Sequence, residues 1–153
     1  MKFMKIYEDG FLAEIEKADY MSTLAEVGPE GWNRIQLTSS LSAFVNDCSL
    51  LLPDRYKRNP IGGLTIIALG ARLIPYAGPI VITGWDPSAT NRDEPEIIGL
   101  TPLQVAMIRA ANEMIDEIIC CKTPDVREEV VNIANMINYG DIPPVTIRTT
   151  GKY

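Results

Sequence analysis

GPIVITGW, residues 78–85, is the stretch that most constrains the fold of this 153-residue chain. It is a short apolar run bounded by glycine and proline, which is typical of a buried strand. Strand-like patterns dominate the sequence before it, and helical patterns dominate the sequence after it. We therefore expect residues 1–153 to form one α+β domain, with a mostly antiparallel sheet, a central helix and a C-terminal αα-hairpin.

The sheet is expected to come from the β-rich residues 1–85, in which short segments carry strand-like patterns. Two hairpins are predicted, one turning at Asp9-Gly10 and the other at Asn46-Asp47-Cys48. Besides residues 78–85, the segments predicted as strands are 1–7, 10–18, 32–37, 41–45 and 49–52.

Two helices are predicted before the polar loop. The first is a short helix over residues 18–28, because its apolar residues follow a helical period and Gly28 is suited to end it. The second is the central helix, over residues 62–73. The polar loop, residues 86–96, is rich in acidic residues but lacks the spacing of a calcium-binding loop.

The last third of the chain predicts a helical hairpin over residues 101–140. TPLQ (101–104) opens its first helix with a threonine cap, a proline at the first helical position and a glutamine that completes a capping box. TPDV (123–126) opens the second helix, which Gly140 ends, and residues 145–150 suit a final strand. The expected core stripes are Met107, Ala111, Met114, Ile115 and Ile118 in the first helix, and Val126, Val130, Ile133 and Ile137 in the second.

The composition is acidic, since 20 Asp and Glu residues oppose 14 Lys and Arg residues and give a net charge of -6. This balance disfavours binding to double-stranded DNA. We expect no membrane partner, because the longest apolar stretch is far shorter than the roughly 20 residues of a membrane span. Residues 1–10 lack the apolar run of a signal peptide. A cytoplasmic location is therefore expected.

The absence of histidine limits the chemistry most sharply. It excludes Ser-His-Asp and Cys-His nucleophile activation and every histidine-based zinc or iron site. We expect no cofactor, no bound metal and no enzymatic activity, although catalysis by lysine or carboxylate groups stays open. The cysteines Cys48, Cys120 and Cys121 have no CxxC spacing and are expected to be reduced thiols.

LLPDRYKRNPIGG, residues 51–63, places a cluster of cations in this acidic chain. Its arginines can grip a phosphate, and the N–H groups at a helix start favour anions. The alternative is a solvated loop whose charges balance nearby acids such as Asp54. Neither nucleotide-binding fingerprint, GxxxxGK[ST] or GxGxxG, is present. The candidate ligand-binding residues of this cluster are Arg55, Tyr56, Lys57, Arg58 and Asn59.

Trp32 and Arg34 form a second candidate, in the predicted strand WNRIQL (32–37). The alternation of a strand places both side chains on one polar face, together with Gln36. A flat aromatic ring beside a guanidinium can stack on a base or hold the side chain of a partner. The alternative is that a neighbouring helix covers this face and that Trp32 is part of the core.

A family resemblance extends over about residues 20–108. It is carried by FVNDCSLLLP (44–53), by Asn59 in RNP, by the strand GPIVITG (78–84) and by the helix start LTPLQ (100–104). This arrangement resembles small domains of unknown function that are frequent in phages, prophages and mobile elements and are associated with antirestriction. The present chain departs from it in the RYKR segment and in the added C-terminal hairpin.

The resemblance implies a phage context, the cytoplasm of the host, and a role in counter-defence, because similar small phage proteins neutralise host defence and some bind a nucleotide messenger without cleaving it. Together with the cation cluster, it predicts a non-catalytic homo-oligomer that sequesters a small anionic ligand, such as a cyclic signalling nucleotide. The alternative is an inhibitor or adaptor that covers a host defence protein through an acidic or helical surface. The sequence leaves both functions open.

Overall fold

The computed structural model describes residues 1–88 and 96–119, which form a six-stranded antiparallel sheet and three α-helices. The strands are β1 (Lys2–Ile6), β2 (Leu12–Glu16), β3 (Trp32–Thr38), β4 (Leu41–Asn46), β5 (Ile80–Trp85) and β6 (Ile97–Ile98). The helices are α1 (Tyr20–Leu24), α2 (Pro60–Ala68) and α3 (Pro102–Ile119), and short 3-10 turns cover Ala25–Val27 and Ser49–Leu51. The α+β class predicted from the sequence is confirmed.

Several predictions concern residues that lie outside the described ranges. They are the second arm of the helical hairpin (123–140), the strand over 145–150, the thiols of Cys120 and Cys121, and residues 89–95 of the polar loop.

Strand β5 is the centre of the sheet, whose order is β2-β1-β5-β4-β3 with β6 added beside β5. All pairings are antiparallel, and Ile82 of β5 faces Met4 of β1 on one side and Ala43 of β4 on the other. Residues 80–84 are buried without interruption, which confirms the predicted buried strand. The hairpin predicted around Asp9-Gly10 is also present, as β1 and β2.

One face of the sheet carries Met4 and Ile82 and is covered by α3. Glu14 faces Met4 in the β1–β2 register, so both side chains lie on this face. Arg109 of α3 reaches Glu14, with 3.1 Å between Nη2 and Oε2. Ile108 of α3 belongs to the same buried cluster as Met4, and α2 packs beside α3.

The opposite face carries Lys5, Val81 and Phe44, which are aligned across β1, β5 and β4. Here the 3-10 turn Ala25–Val27 contacts β4 and β5. Lys5 also contacts this turn, because its Nζ lies 2.7 Å from Oε2 of Glu26. Since both faces are covered, β5 has no solvated side.

The strand predicted over residues 49–52 is wrong, because Ser49–Leu51 is a 3-10 turn. Local hydrogen bonds of Asn46 redirect the chain after β4. The Asn46 side-chain oxygen accepts the N–H two residues on, at 2.8 Å, and the Ser49 hydroxyl donates to the Asn46 carbonyl, at 3.1 Å. Such bonds favour a turn over a continued strand. Strand β4 instead forms its hairpin with β3, around Ser39-Ser40.

Helix α2 starts and ends earlier than the predicted range of residues 62–73. Asn59 is its cap and Pro60 its first residue, a position where the missing N–H of proline costs nothing. The chain leaves the helix at Gly70, whose φ of +123° is a conformation that residues with a side chain rarely adopt.

The start of α3 is the predicted capping box. The Thr101 N–H donates to Oε1 of Gln104 at 3.0 Å, and the Gln104 N–H donates to Oγ1 of Thr101 at 3.2 Å. These two bonds satisfy N–H groups that the helix itself leaves without partners.

The predicted core stripe of α3 is wrong for two of its five residues. Ile115 is buried as predicted, and Ala111 and Ile118 are half-buried, but 45% of Met107 and 46% of Met114 are exposed. The face that meets the rest of the protein is instead lined by Val105, Ile108 and Ile115. Because α3 is apolar on two sides, its periodicity alone does not decide which side is buried.

Asn59 is expected to be critical for stability, because its fully buried side chain makes three hydrogen bonds. Asn59→Ala removes the cap of α2 and leaves buried carbonyls without their donor, so we expect a loss of about 3 kcal/mol in the free energy of unfolding. Urea denaturation measures it. The control Asn33→Ala, at an exposed position of β3, should change stability by about 0.5 kcal/mol or less. Equal effects of the two substitutions would contradict this role.

Candidate ligand-binding site

The cation cluster lies on a segment that is fixed at its C-terminal end. Arg58 forms an antiparallel bridge with Ala77. On either side of it, the Gly78 N–H donates to the Lys57 carbonyl at 2.8 Å and the Asn59 N–H donates to the Tyr76 carbonyl at 2.9 Å. The side chains of the cluster nevertheless have different neighbours.

Arg55 points towards Glu30, and its Nη1 lies 2.6 Å from Oε1 of that carboxylate. Although 60% of the Arg55 side chain is exposed, its charge already has a partner. An exposed ion pair of this kind contributes little stability, but it lowers the positive potential that Arg55 offers to a ligand.

Tyr56 is buried, and its hydroxyl donates to Oε2 of Glu30 at 2.5 Å. Asn46 donates to the same oxygen from Nδ2 at 2.7 Å. Gly28, with a φ of +119°, lies against this group, and a Cβ there would overlap the Tyr56 hydroxyl. The ring of Tyr56 is thus enclosed by protein. The stacking of Tyr56 on a ligand stays a prediction, and Tyr56 does not line the depression of Lys57 and Arg58.

The contact between Tyr56 and Glu30 shifts the pKa values of both side chains. The pKa of Glu30 is lowered, chiefly because the Tyr56 hydroxyl donates to the carboxylate, and Asn46 and Arg55 act in the same direction. The pKa of Tyr56 is raised, first by burial and then by the negative charge of Glu30. The pair is therefore held as a carboxylate and a neutral phenol.

The side chain of Asn59 is hydrogen-bonded to backbone groups inside the protein. Its Oδ1 accepts the Gly62 N–H at 2.9 Å, and its Nδ2 donates to the carbonyls of Gly78 at 2.9 Å and Ile6 at 3.4 Å. The Gly63 N–H is also taken, by the Asn59 carbonyl at 2.8 Å. The start of α2, which the sequence suggested as an anion site, offers neither of these N–H groups to a ligand.

Lys57 and Arg58 open onto a surface depression with a volume of about 530 Å³. Lys57 is exposed and Arg58 is half-buried. Across residues 1–88 and 96–119, no carboxylate oxygen lies within 4.0 Å of the charged group of either side chain. The depression is lined by Lys5, Tyr7, Glu8, Asp9, Lys57, Arg58 and Pro79.

Sequence reasoning missed Lys5 and Tyr7, which complete this depression from β1 and the turn after it. The Lys5 ammonium lies 4.6 Å from the centre of the Tyr7 ring, and the Tyr7 ring packs at 6.1 Å from that of Phe11. The Glu8 carboxylate joins the two walls, because its Oε2 accepts the Lys57 N–H at 2.7 Å. The sequence carries no local signal for this meeting of residues 5–8 with residues 57–58.

Trp32 and Arg34 share one face of β3, as predicted, but they lie against protein side chains. The guanidinium carbon of Arg34 is 3.5 Å from the centre of the Trp85 ring, and Arg34 Nε donates to Ser42 Oγ at 2.9 Å. Burial lowers the pKa of Arg34. Trp32 packs edge-on against Phe44 at 5.4 Å and remains 41% exposed. Trp85, at the end of β5, is the residue that contacts the Arg34 guanidinium.

The two candidate groups are linked but do not line one depression. Trp32 faces Asn46 in the β3–β4 register, and Asn46 donates to Glu30, the partner of Arg55. Neither Trp32 nor Arg34 lines the depression of Lys57 and Arg58. The depression around Lys57 and Arg58 is therefore the candidate site.

Groups of metal ligands and membrane-spanning helices would also indicate function, and residues 1–88 and 96–119 contain neither. No group of three or more His, Cys, Asp or Glu side chains there can hold a metal ion. No helix there combines the length and the apolar character that crossing a membrane requires.

Comparisons with protein-family models, with curated proteins and with solved structures each returned no match.

The group around Glu30 predicts a specific pH dependence. Because folding lowers the pKa of Glu30, its stabilisation is fully present above the unfolded-state value of about 4.3 and is lost as the pH falls through the folded-state value. We expect Glu30→Gln to reduce the free energy of unfolding at neutral pH, and the difference from the unaltered chain to shrink as the pH falls below the unfolded-state value. Urea denaturation at several pH values measures it.

The control for this experiment is Glu113→Gln, which removes a carboxylate from an exposed position of α3. It should change the stability at neutral pH by about 0.5 kcal/mol or less. A stability difference between Glu30→Gln and the unaltered chain that stays constant over the whole pH range would rule out a role for the Glu30 charge.

Proposed function

We propose that this protein binds a small phosphate-bearing ligand, such as a signalling nucleotide, in the depression lined by Lys5, Tyr7, Lys57 and Arg58. The observation that carries the proposal is the pairing state of the 55–58 cluster. Arg55 has Glu30 as a partner, whereas within the described residues Lys57 and Arg58 have no carboxylate within 4.0 Å and open onto one depression.

Three cations, Lys5, Lys57 and Arg58, outnumber the two carboxylates, Glu8 and Asp9, that line the depression, so an anion is favoured there although the chain is acidic overall. Arg58 is half-buried, so its charge is screened less by solvent than that of a fully exposed arginine. Its planar guanidinium suits two phosphate oxygens at once, while Lys57 acts as a mobile point charge. Lys5 adds a third positive group, although its charge is shared with Glu26.

The remaining lining residues favour a nucleotide over a simple inorganic anion. Tyr7 is partly exposed, and a base can stack on the part of its ring that Lys5 and Phe11 leave uncovered. Glu8 and Asp9 line the same depression, and carboxylates accept hydrogen bonds from the hydroxyl or amino groups of a nucleoside. A volume of about 530 Å³ is within the usual range for small-molecule sites.

The proposed role is binding without turnover. The chain has no histidine, and among the described residues that line the depression no nucleophile is hydrogen-bonded to a base. The resemblance over about residues 20–108 adds the wider context, sequestration of a host messenger as counter-defence. Homo-oligomerisation belongs to the same proposal and is measured by light scattering with and without ligand.

A second candidate function is a protein inhibitor or adaptor that acts through an acidic or helical surface. The observation that favours it is a row of exposed apolar side chains on α3, where 71% of Leu103 is exposed and Met107 and Met114 follow it. Substitutions at Lys57 and Arg58 separate the two functions, since they leave this side of α3 unchanged.

The first test is thermal unfolding with a panel of cyclic dinucleotides, cyclic oligonucleotides and cyclic nucleotides derived from NAD. A ligand at about 100 times its dissociation constant adds roughly 2.7 kcal/mol to the free energy of unfolding. For a chain of this length, that corresponds to a rise of about 5–10 °C in the melting temperature. We expect a selective rise with one class of ligand, and chromatography should recover that ligand unaltered.

Charge-reversal variants locate the site. Lys57→Glu combined with Arg58→Glu should abolish the rise, whereas Arg55→Gln should keep most of it because Arg55 already pairs with Glu30. Arg72→Glu is the matched control, since it reverses a charge at a residue that lines a different cavity. A flat panel, or equal loss of binding in Arg72→Glu, would overturn the proposal. Cleavage of the ligand would make the protein an enzyme.

A further inference from the structure

Strand β3 forms one edge of the sheet, because among the described residues it pairs with β4 on one side and with no strand on the other. Gly31 and Asp47 continue the β3–β4 register and are hydrogen-bonded, since the Asp47 N–H donates to the Gly31 carbonyl at 3.1 Å. In an antiparallel pair, hydrogen-bonded residues alternate with residues whose backbone groups point away from the partner strand. The N–H and carbonyl groups of Trp32, Arg34 and Gln36 therefore point outward from the sheet.

The pairing of β4 with β5 gives the same alternation. The Trp85 N–H donates to the Ser40 carbonyl at 2.9 Å, and the β4–β5 register places these two residues opposite each other. The even-numbered residues of β4 therefore bond to β5, and the odd-numbered residues bond to β3. Within residues 1–88 and 96–119, no further backbone–backbone hydrogen bond reaches the N–H or carbonyl groups of Arg34 and Gln36.

A cavity of about 490 Å³ adjoins this edge and is lined by residues 33–36 of β3. Ile35 and Val45, which also line it, lie on the face of the sheet opposite to Arg34, whose side chain is over the Trp85 ring. Because residues of both faces line it, the cavity extends along the backbone of the strand edge. A molecule that fills it can reach the outward backbone groups as well as the apolar side chains.

The far wall of the cavity is apolar. It is formed by Leu50 and Ile74, of which 47% and 40% are exposed, and by the buried Tyr76. An extended peptide beside β3 directs every second side chain to the face of Ile35. One apolar side chain of such a peptide can therefore enter the space between Ile35 and Ile74, the arrangement by which added strands gain specificity.

The cavity carries opposite charges at its two ends. Asp47 and Arg72 line it and are exposed, and among the described residues neither has an oppositely charged group within 4.0 Å. Asp47 lies opposite Gly31, just before β3. Gly70 packs against the Leu37 carbonyl, which brings the segment with Arg72 to the other end of the strand. A peptide with a basic residue at one end and an acidic residue at the other matches these charges.

We propose that the edge of β3 binds an extended peptide segment of another protein, which continues the sheet and inserts one apolar side chain into the cavity. An extended backbone is the partner whose alternating N–H and carbonyl groups match those of Arg34 and Gln36. A second copy of the chain fits less well, because Asn33 and Ile35 of its own β3 already line its own cavity. The proposal does not rest on the nucleotide site, since the cavity and that depression share no lining residue.

A displayed library of random peptides of about nine residues, selected against the full chain, supplies the probe. We expect the selected peptides to share an apolar residue near the centre, a basic residue towards one end and an acidic residue towards the other. One of them, synthesised with a fluorescent label, gives a dissociation constant by fluorescence anisotropy. Selection that yields no such pattern would overturn the proposal.

N-methylation of the synthetic peptide, one residue at a time, tests whether it binds as a strand. Because every second N–H group of the peptide faces β3, methylation at alternate residues should weaken binding about tenfold. Methylation at the intervening residues should change it by less than about twofold. A scan without this period of two would contradict strand addition.

The cavity is tested by Ile74→Asp, which places a charge in its apolar wall and should weaken binding by about tenfold or more. The matched control is Leu73→Asp, because Leu73 is the adjacent apolar residue, is 53% exposed and does not line the cavity. Melting temperatures check that both variants are folded. Equal affinity of the two variants for the peptide would rule out the cavity as the anchor site.

The outward N–H of the strand edge is tested by Gln36→Pro, compared with Gln36→Ala, which keeps this N–H. Proline is tolerated at sheet edges and beside bulges, and the β3–β4 register shifts directly after Gln36. The proline variant should bind the peptide about tenfold more weakly than the alanine variant. Equal binding by the two folded variants would overturn the proposal. A peptide-free dimer that Ile74→Asp dissociates would do so too, and would assign the edge to a second copy.

Discussion

The buried amide of Asn59 holds three segments of the chain at one point. It accepts from Gly62 at the start of α2 and donates to the carbonyls of Gly78 and Ile6. A buried amide with three good partners is stabilising, and each partner left alone inside the protein would be costly. The residues just before Asn59 are therefore fixed beside the end of β1. Together with the bond from the Lys57 N–H to Glu8, this side chain holds Lys57 and Arg58 near Tyr7.

Glu30 holds the N-terminal end of the cation cluster, through Arg55 and Tyr56. Its carboxylate accepts from Tyr56 and Asn46 and pairs with Arg55, which joins residues 28–31 to the end of β4 and to the cation segment. The network turns Tyr56 inward and draws Arg55 away from the depression. The positive charge that remains available is smaller than the sequence suggests, but it is concentrated on two adjacent residues.

Some elements of the fold can be predicted from the sequence because neighbouring residues alone determine them. The capping box at Thr101, the turn at Asp9-Gly10 and the apolar run of β5 each contain their own signal, and all three are present. The predicted strand over residues 49–52 fails because hydrogen bonds of Asn46 compete with strand pairing. The buried side of α3 could not be chosen either, since that choice depends on the sheet it meets and not on the periodicity of the helix.

The site shows why residues adjacent in sequence need not act together. Arg55, Lys57 and Arg58 are neighbours in sequence, yet Arg55 pairs with Glu30, whereas Lys57 and Arg58 line a depression that does not include Arg55. Which cation remains without a partner depends on Glu30, more than twenty residues upstream. Lys5 and Tyr7 are more distant still and arrive through the pairing of β1 with β5. The proposed anion site therefore has no sequence motif, because it depends on which cations have no carboxylate within 4.0 Å among residues 1–88 and 96–119.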